Sequence, residues 1–304
     1  MSPPNLALPP APPALSYELF PPRTPAAADS LWETIRALES THPDYVSVTY
    51  GASGSNRDTA VSLLRQLLQE TSLRPLAHLT CIGNTAQELA LLIAELLDHG
   101  VRGILALRGD RAPSQTRASE QPDERGLLHA QDLVELIRRV EQRRSALLAA
   151  GKLAIGVAAY PAKHPESPDS AHDIEVLLAK QRSGADFAIT QVFFHPAEYE
   201  DLLSRAQRAG VSIPIIPGLM PLTSLVRLRR LAELSGAAPD EALLAELAAV
   251  DDDATRRRIG VAATVRLARV ALEAGAPGIH LYTFNEHRSA LDVLERLDLP
   301  RPAA

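Results

Sequence analysis

Polar side chains recur at the ends of short apolar runs in this sequence of 304 residues. Acids, imidazoles, amides and phenols at such positions can move protons and orient a polar substrate. The polar residues at or just beyond the ends of these runs include Glu18, Thr49, His78, Arg108, Asp110, Tyr160, His164, Gln191 and Tyr282. Their positions predict one site that is assembled from many segments of the chain.

Glu18 is the side chain with the most direct chemical potential. Strand alternation places Ser16, Glu18 and Phe20 on one face of the run 15–20. A carboxyl group in apolar surroundings has a raised pKa and can act as a general acid near neutral pH. An ordinary ion pair with Arg23 explains the position equally well, so both interpretations stay open at this point.

Eight apolar runs rich in β-branched residues alternate with amphipathic helical patterns. The runs cover 15–20, 45–49, 76–80, 103–107, 154–159, 187–191, 213–217 and 278–282. Their ends lie about 30 residues apart in most intervals, which is the length of one β-turn-α unit. The pattern predicts an α/β protein, a (β/α)8 TIM barrel whose polar run ends share one face. A doubly wound open sheet is the alternative, because the number of strands does not prove closure.

Two helix starts carry a capping-box pattern, Ser30-x-x-Glu33 and Thr85-x-x-Glu88. The acidic run 251–253 could suggest a metal site, but it is better explained as the cap of a helix that starts near 254. Neither a Cys/His cluster nor an H-E-x-x-H pattern is present in the sequence. We therefore predict no metal site.

Composition narrows the class of protein further. The net charge is −6, without a basic cluster, which argues against nucleic-acid and anionic-membrane partners. Cys81 is the single cysteine, so we expect a reducing, cytoplasmic location. Residues 1–14 are rich in proline and predict a flexible tail, and residues 15–304 predict one catalytic barrel domain. The polar insertion at 111–126 is consistent with either a lid or a solvated loop.

Several of these segments, taken together, resemble one enzyme family. They include YELFPPR at 17–23, PDYVSVTYGASGSNR at 43–57, ILALRGD at 104–110, KQRSGADFAITQVFF at 180–194 and IHLYTFN at 279–285. From about residue 15 to 299 the chain resembles the bacterial type of 5,10-methylenetetrahydrofolate reductase. The resemblance implies an FAD enzyme that NADH or NADPH reduces first. In a second, ping-pong step the hydride passes to 5,10-methylenetetrahydrofolate, giving 5-methyltetrahydrofolate. A homo-oligomer is also implied.

The same resemblance implies roles for individual residues. Glu18 would be the acid that protonates a folate nitrogen, which favours the first of its two interpretations. Asp110 would stabilise the resulting cation and tune the flavin. Gln191 would hydrogen-bond the pterin edge, and Tyr282 and Arg288 would also bind substrate.

A second group of residues falls on segments that line FAD in the family. Lys180 is a reasonable partner for the pyrophosphate, and Asp173 for the ribose hydroxyls. The group consists of Thr49, His78, Arg108, Gly109, Asp110, Ala130, Tyr160, His164, Asp173 and Lys180.

Two positions depart from the family pattern. Glu286 stands where a basic residue often follows the Asn of the final motif. If it pointed inward, Glu286 would repel an anionic glutamate tail, and Arg288 is a candidate substitute for the missing cation. Leu225 stands where some relatives place a Phe against the folate, so stacking is lost there.

Three other functions remain as alternatives. A phosphate-binding aldolase or isomerase would want a Lys at a strand end and a Gly-rich phosphate loop after the seventh and eighth strands. A non-catalytic barrel would not need Glu18, Asp110 and Gln191 to converge. A flavin-dependent oxidoreductase with another acceptor is the nearest alternative, because flavin binding alone does not select the acceptor.

Overall fold

A computed structural model describes residues 12–49, 57–109, 126–144 and 151–299. Parallel strands form its centre, with helices between them in the chain. The strands are β1 (Ala14–Leu19), β2 (Tyr45–Val48), β3 (Pro75–Thr80), β4 (Gly103–Leu107), β5 (Ala154–Ala159), β6 (Phe187–Thr190), β7 (Ile215–Ile216), β8 (Gly218–Leu219) and β9 (Gly278–Tyr282). Their order in the sheet is β7-β6-β5-β4-β3-β2-β1-β9-β8. The first strand thus pairs with the last, which confirms the predicted barrel over the open sheet.

The expected seventh strand, 213–217, is divided at Pro217 into β7 and β8. Proline has no N–H, so it cannot continue a hydrogen-bonded ladder. β7 pairs with β6 and β8 pairs with β9, and Pro217 lies between them in the chain. The Pro217 carbonyl still accepts a hydrogen bond from the His280 N–H at 3.0 Å. The two ends of the sheet are therefore joined through this single residue.

Ten helices are present in the described residues. They are α1 (Pro25–Glu39), α2 (Arg57–Glu70), α3 (Ala86–Asp98), α4 (Ala130–Arg143), α5 (Ser170–Arg182), α6 (Pro196–Ala209), α7 (Leu225–Ser235), α8 (Glu241–Ala248), α9 (Asp253–Glu273) and α10 (Arg288–Leu297). The capping box at Thr85 is confirmed, and Asp252 caps α9 as expected. The predicted start at Ser30 is wrong, because Thr24 caps α1 and Pro25 suits the first helical position.

Alternation along the strands separates an apolar exterior from a mixed interior. The outward side chains Leu15, Tyr17 and Leu19 of β1 are fully buried in the main hydrophobic core. A smaller cluster is formed by inward side chains of three strands, Leu76, Leu105 and Ile189. Towards the carboxyl ends of the strands the inward side chains become polar. This change in polarity positions the candidate site.

The described residues also bear on membrane spans, metal sites and the two segments set apart in the sequence. None of the described helices is both long enough and apolar enough to cross a membrane. Within the described ranges, no group of three or more His, Cys, Asp and Glu side chains is placed to hold a metal ion. The first eleven residues, and all of the 111–126 insertion except Gly126, lie outside those ranges.

Candidate functional site

Glu18 lies at the carboxyl end of β1 and points into the barrel. Its neighbours in the sheet are Ser47 on β2 and Tyr282 on β9. The side chain of Glu18 is about one-tenth exposed, and burial raises its pKa from 4.5 to about 8. The expected alternative, an ion pair with Arg23, is not formed, and Arg23 is exposed. Glu18 is therefore a neutral carboxylic acid at pH 7.

His78 on β3 is the ionisable group beside Glu18. Its Nε2 atom lies 3.5 Å from Glu18 Oε2, which is longer than a normal hydrogen bond. Burial lowers the pKa of His78 to about 3, so the imidazole is neutral. The proximity could suggest an ion pair, but burial disfavours both the ionised form of Glu18 and the protonated form of His78. We therefore treat the two groups as a neutral acid and a neutral base.

The barrel interior beneath Glu18 continues as a polar layer. Ser16 Oγ lies 2.8 Å from His280 Nδ1, and both residues are buried. Three further buried atoms, Ser47 Oγ, His78 Nε2 and His280 Nε2, have no hydrogen-bond partner among the described residues. Buried polar atoms are nearly always paired in proteins, so the unpaired His78 Nε2 beside Glu18 marks a place for a polar ligand.

A second group of polar residues lies around the end of β5 and the start of α5. Lys180 is buried, and its Nζ donates to the Ala158 carbonyl at 2.8 Å. Asp173 accepts from the His164 N–H at 2.9 Å and from Ser167 Oγ at 2.5 Å. Burial lowers the pKa of Lys180 to about 8, while Asp173 partly opposes this shift. A buried ammonium group with one hydrogen bond suits an anionic ligand group.

Arg108 extends this cationic region from the end of β4. Its Nη1 lies 2.6 Å from Glu166 Oε2, and the Arg108 side chain is about one-quarter exposed. Tyr160 and His164 pack edge to face with ring centroids 4.6 Å apart. Burial, followed by the Arg108 charge, lowers the pKa of His164. Four residues expected to line FAD, Tyr160, His164, Asp173 and Lys180, are therefore neighbours in one cluster.

Gln191 and Tyr282 lie on opposite sides of the seam formed by β7 and β8. Gln191 follows β6, and its side-chain oxygen accepts from the Val192 N–H at 2.8 Å. The Tyr282 hydroxyl donates to the Thr190 carbonyl at 2.7 Å, which ties β9 to β6. Within the described residues, the Gln191 side-chain amide N–H groups donate no hydrogen bond.

The remaining predicted residues have varied positions. Thr49 follows β2 and donates weakly to the Leu19 carbonyl, and Ala130 is the buried first residue of α4. Gly109 has φ +86°, and a Cβ there would lie 2.9 Å from Thr80 Cβ. Glycine is thus required for two reasons: the positive φ disfavours other residues, and Thr80 leaves no room for a side chain. Asp110 lies outside the described residues, and Arg288 is the exposed first residue of α10.

The sequence interpretation missed an aromatic and cationic stack at the mouth. Phe20 and Phe284 stack with centroids 5.6 Å apart, and the Arg227 guanidinium lies 4.8 Å from the Phe284 centroid. It also missed the buried His280 below Glu18. Alternation places Phe20 on the same face as Glu18, and the same rule applied to 278–282 would have placed His280 on the face shared with Tyr282. Arg227 gives no comparable local signal.

Comparisons with known proteins agree with one another. Residues 8–298 match the family model described as methylenetetrahydrofolate reductase. The 5,10-methylenetetrahydrofolate reductase of Escherichia coli strain K12 is 34% identical over 272 residues, covering 89% of this chain and 86% of the relative. Methylenetetrahydrofolate reductase 1 of Schizosaccharomyces pombe is 31% identical and covers 93% of this chain, but the match spans only 46% of that longer relative.

A solved structure supports the same fold. It is an uncharacterized protein from Clostridium thermocellum that binds two copies of 5-methyl-5,6,7,8-tetrahydrofolic acid. The TM-score is 0.61, and the match covers 94% of this chain and 93% of that one. The sequence identity is 14%, so this likeness bears on the fold alone.

Proposed function

Because the chain belongs to the methylenetetrahydrofolate reductase family, we propose that it reduces 5,10-methylenetetrahydrofolate to 5-methyltetrahydrofolate with NADH or NADPH through bound FAD. The reaction would be ping-pong: the nicotinamide would bind first and leave, and the folate would then bind in its place. The observation that carries this proposal is Glu18, a buried carboxyl held neutral at the barrel mouth. A neutral acid can protonate a folate nitrogen, which ring opening to an iminium requires.

The residues present fit FAD at two separate places. Lys180 offers a buried ammonium group for a diphosphate, and Asp173 offers carboxylate oxygens next to it for ribose hydroxyls. At the other end, the unpaired His78 Nε2 and the close backbone at Gly109 suit the edge of a planar polar ring. FAD would supply hydride transfer between nicotinamide and folate. The protein's part is to bind, orient and protonate.

The proposed steps of the protein follow from geometry and charge. Glu18 would hold its proton until a folate nitrogen lies within hydrogen-bond distance, and would then donate it. The neutral His78 beside it leaves the acid without a competing cation. Gln191, with donor and acceptor atoms on one side chain, would orient the pterin edge. Asp110 is proposed to stabilise the cation that forms, and Tyr282 and Arg288 to contact substrate.

The remaining expectations stay predictions. We propose that Thr49, Arg108, Ala130, Tyr160 and His164 contribute to the FAD site. The boundary predicted at residue 14 moves by one residue, because Ala14 begins β1; residues 1–13 are proposed as the tail and residues 14–304 as the catalytic barrel. A homo-oligomer in the cytoplasm is proposed on the family resemblance and on the single cysteine.

An anaerobic spectral experiment tests the function. The purified protein should be yellow, should bleach on addition of NADH or NADPH, and should regain its colour on addition of 5,10-methylenetetrahydrofolate. The nicotinamide that bleaches it faster is the preferred reductant. A protein that bleaches but is not reoxidised by the folate would instead be a flavin oxidoreductase with another acceptor. If the protein cannot be loaded with FAD, the assignment of FAD as its cofactor is refuted.

A further inference from the structure

A rigid aromatic platform stands directly above Glu18. Phe20 lies two residues beyond Glu18 on the same face, and Phe284 lies two beyond Tyr282. Their rings are 16° from parallel, with centroids 5.6 Å apart. Both rings are only half-buried. The two rings therefore lie at the barrel mouth beyond Glu18, on the side formed by β1 and β9.

The platform is fixed by its backbone. Asn285 Oδ1 accepts from the Phe20 N–H at 2.9 Å, and Asn285 Nδ2 donates to the Phe20 carbonyl at 2.8 Å. Phe284 and Asn285 have φ values of +52° and +59°, which are unusual for residues other than glycine. Such a conformation persists only where the surroundings hold it. The two hydrogen bonds provide that restraint, so the ring positions are built into the turn.

A cation lies against this platform. Arg227, the third residue of α7, places its guanidinium carbon 4.8 Å from the Phe284 centroid. The residue is exposed, and no carboxylate of the described residues pairs with it. Stacking holds the plane of a guanidinium while its N–H groups remain able to donate. An anion that passes over the rings would meet these donors.

The neighbouring acid does not compete for that cation. Glu286 Oε1 accepts from the Arg288 N–H at 2.6 Å, and Oε2 accepts from the Ser289 N–H at 3.1 Å. These N–H groups open α10, where the helix dipole also favours a negative charge. The carboxylate of Glu286 is thus turned to the helix end. Because its carboxylate binds these backbone N–H groups, we do not expect Glu286 to repel an anionic tail.

We infer that Arg227, stacked on Phe284, binds a carboxylate of the anionic tail of the substrate and so determines its selectivity for tailed over tail-less folates. The inference rests on the proposed function, and it assigns the tail cation to α7 rather than to the Arg288 position. Ionic contacts at an exposed mouth are weak, so the expected effect is a change in KM rather than in kcat.

The test compares two substrates in the FAD-loaded enzyme. These are 5,10-methylenetetrahydrofolate with one glutamate and the corresponding tetrahydropteroyl amide, which has neither the glutamate nor a free carboxylate. Arg227→Gln should raise KM about five-fold for the first substrate and leave the second unchanged, as expected for one exposed charge pair. Arg227→Lys should retain part of the affinity. Raising the salt concentration should remove the difference between wild type and Arg227→Gln.

Arg229→Gln is the matched control, because it removes the same charge from an exposed position of the same helix. It should leave both KM values unchanged. Equal KM changes for both substrates, no change for either, or the same effect from Arg229→Gln would overturn the inference. A wild-type protein that is bleached by nicotinamide but reduces neither substrate would refute the proposed function itself, which is a different result.

Discussion

Replacing Glu18 with glutamine should make the protein more stable and nearly inactive towards folate. At pH 7 a free glutamate is ionised, because its pKa of 4.5 lies about 2.5 pH units lower. Holding Glu18 protonated in the fold therefore costs about 3 kcal/mol at pH 7. Glutamine has nearly the same shape and needs no proton. Since burying its amide costs part of this, we expect a net gain of up to about 2 kcal/mol at pH 7.

The dependence on pH gives the sharper test. Between pH 4.5 and 8 the folded state keeps a proton on Glu18 that the unfolded state releases. The unfolding free energy of the wild type should therefore fall with rising pH relative to that of Glu18→Gln. The part of the difference that depends on pH should vanish below pH 4.5 and be largest above pH 8. Urea unfolding at several pH values measures it, and Glu33→Gln on the exposed side of α1 is the control.

Activity should change in the opposite direction. Loss of a general acid lowers a rate by about 10²- to 10⁴-fold. Glu18→Gln should lose folate reduction by such a factor while still oxidising NADH or NADPH with an artificial electron acceptor. If the variant keeps folate reduction within ten-fold of wild type, Glu18 is not the acid. If it is less stable at every pH and has the wild-type pH slope, the carboxyl is ionised in the fold and our reasoning fails.

Three further substitutions test other parts of the site. Lys180→Met removes the buried ammonium group and should weaken FAD binding at least ten-fold, measured as free flavin after ultrafiltration. Gly109→Ala should destabilise the protein by about 1–3 kcal/mol in urea unfolding, because φ is +86° and Thr80 is 2.9 Å from the added Cβ. Tyr282→Phe leaves the Thr190 carbonyl unpaired and should cost about 1–3 kcal/mol by the same measurement.

The parts of the fold that depend on local pattern were predictable from the sequence. The period of about 30 residues predicts β-turn-α units, and the Thr85 capping box marks a helix start that the structure confirms. The Ser30 pattern fails for a physical reason, since Thr24 with Pro25 offers an earlier cap. The same competition between neighbouring signals explains the seventh strand, where Pro217 interrupts a run that is otherwise typical of a strand.

The chemical state of Glu18 could not be obtained from its place in the sequence. Alternation groups Glu18 with Ser16 and Phe20 on one strand face, but it does not show whether that face is the interior or whether the carboxyl is paired. The pKa depends on how completely the barrel excludes water and on which groups lie opposite, and both are properties of the closed fold. The contact between Arg227 and Phe284 is similar, because it joins α7 to the turn after β9.

The distribution of charge within the site would let one mouth hold the diphosphate of the proposed FAD and still keep an acid neutral. The cations Lys180 and Arg108 lie around α5 and β4; Arg108 helps to lower the pKa of Lys180, and both cations help to lower the pKa of His164. Glu18 is affected by burial alone and faces the neutral His78. A cation beside Glu18 would lower its pKa and leave it ionised at pH 7, unable to donate. Separation of the cationic half from the neutral half is therefore a requirement of the proposed chemistry, and the strand order β1-β2-β3-β4-β5 supplies it.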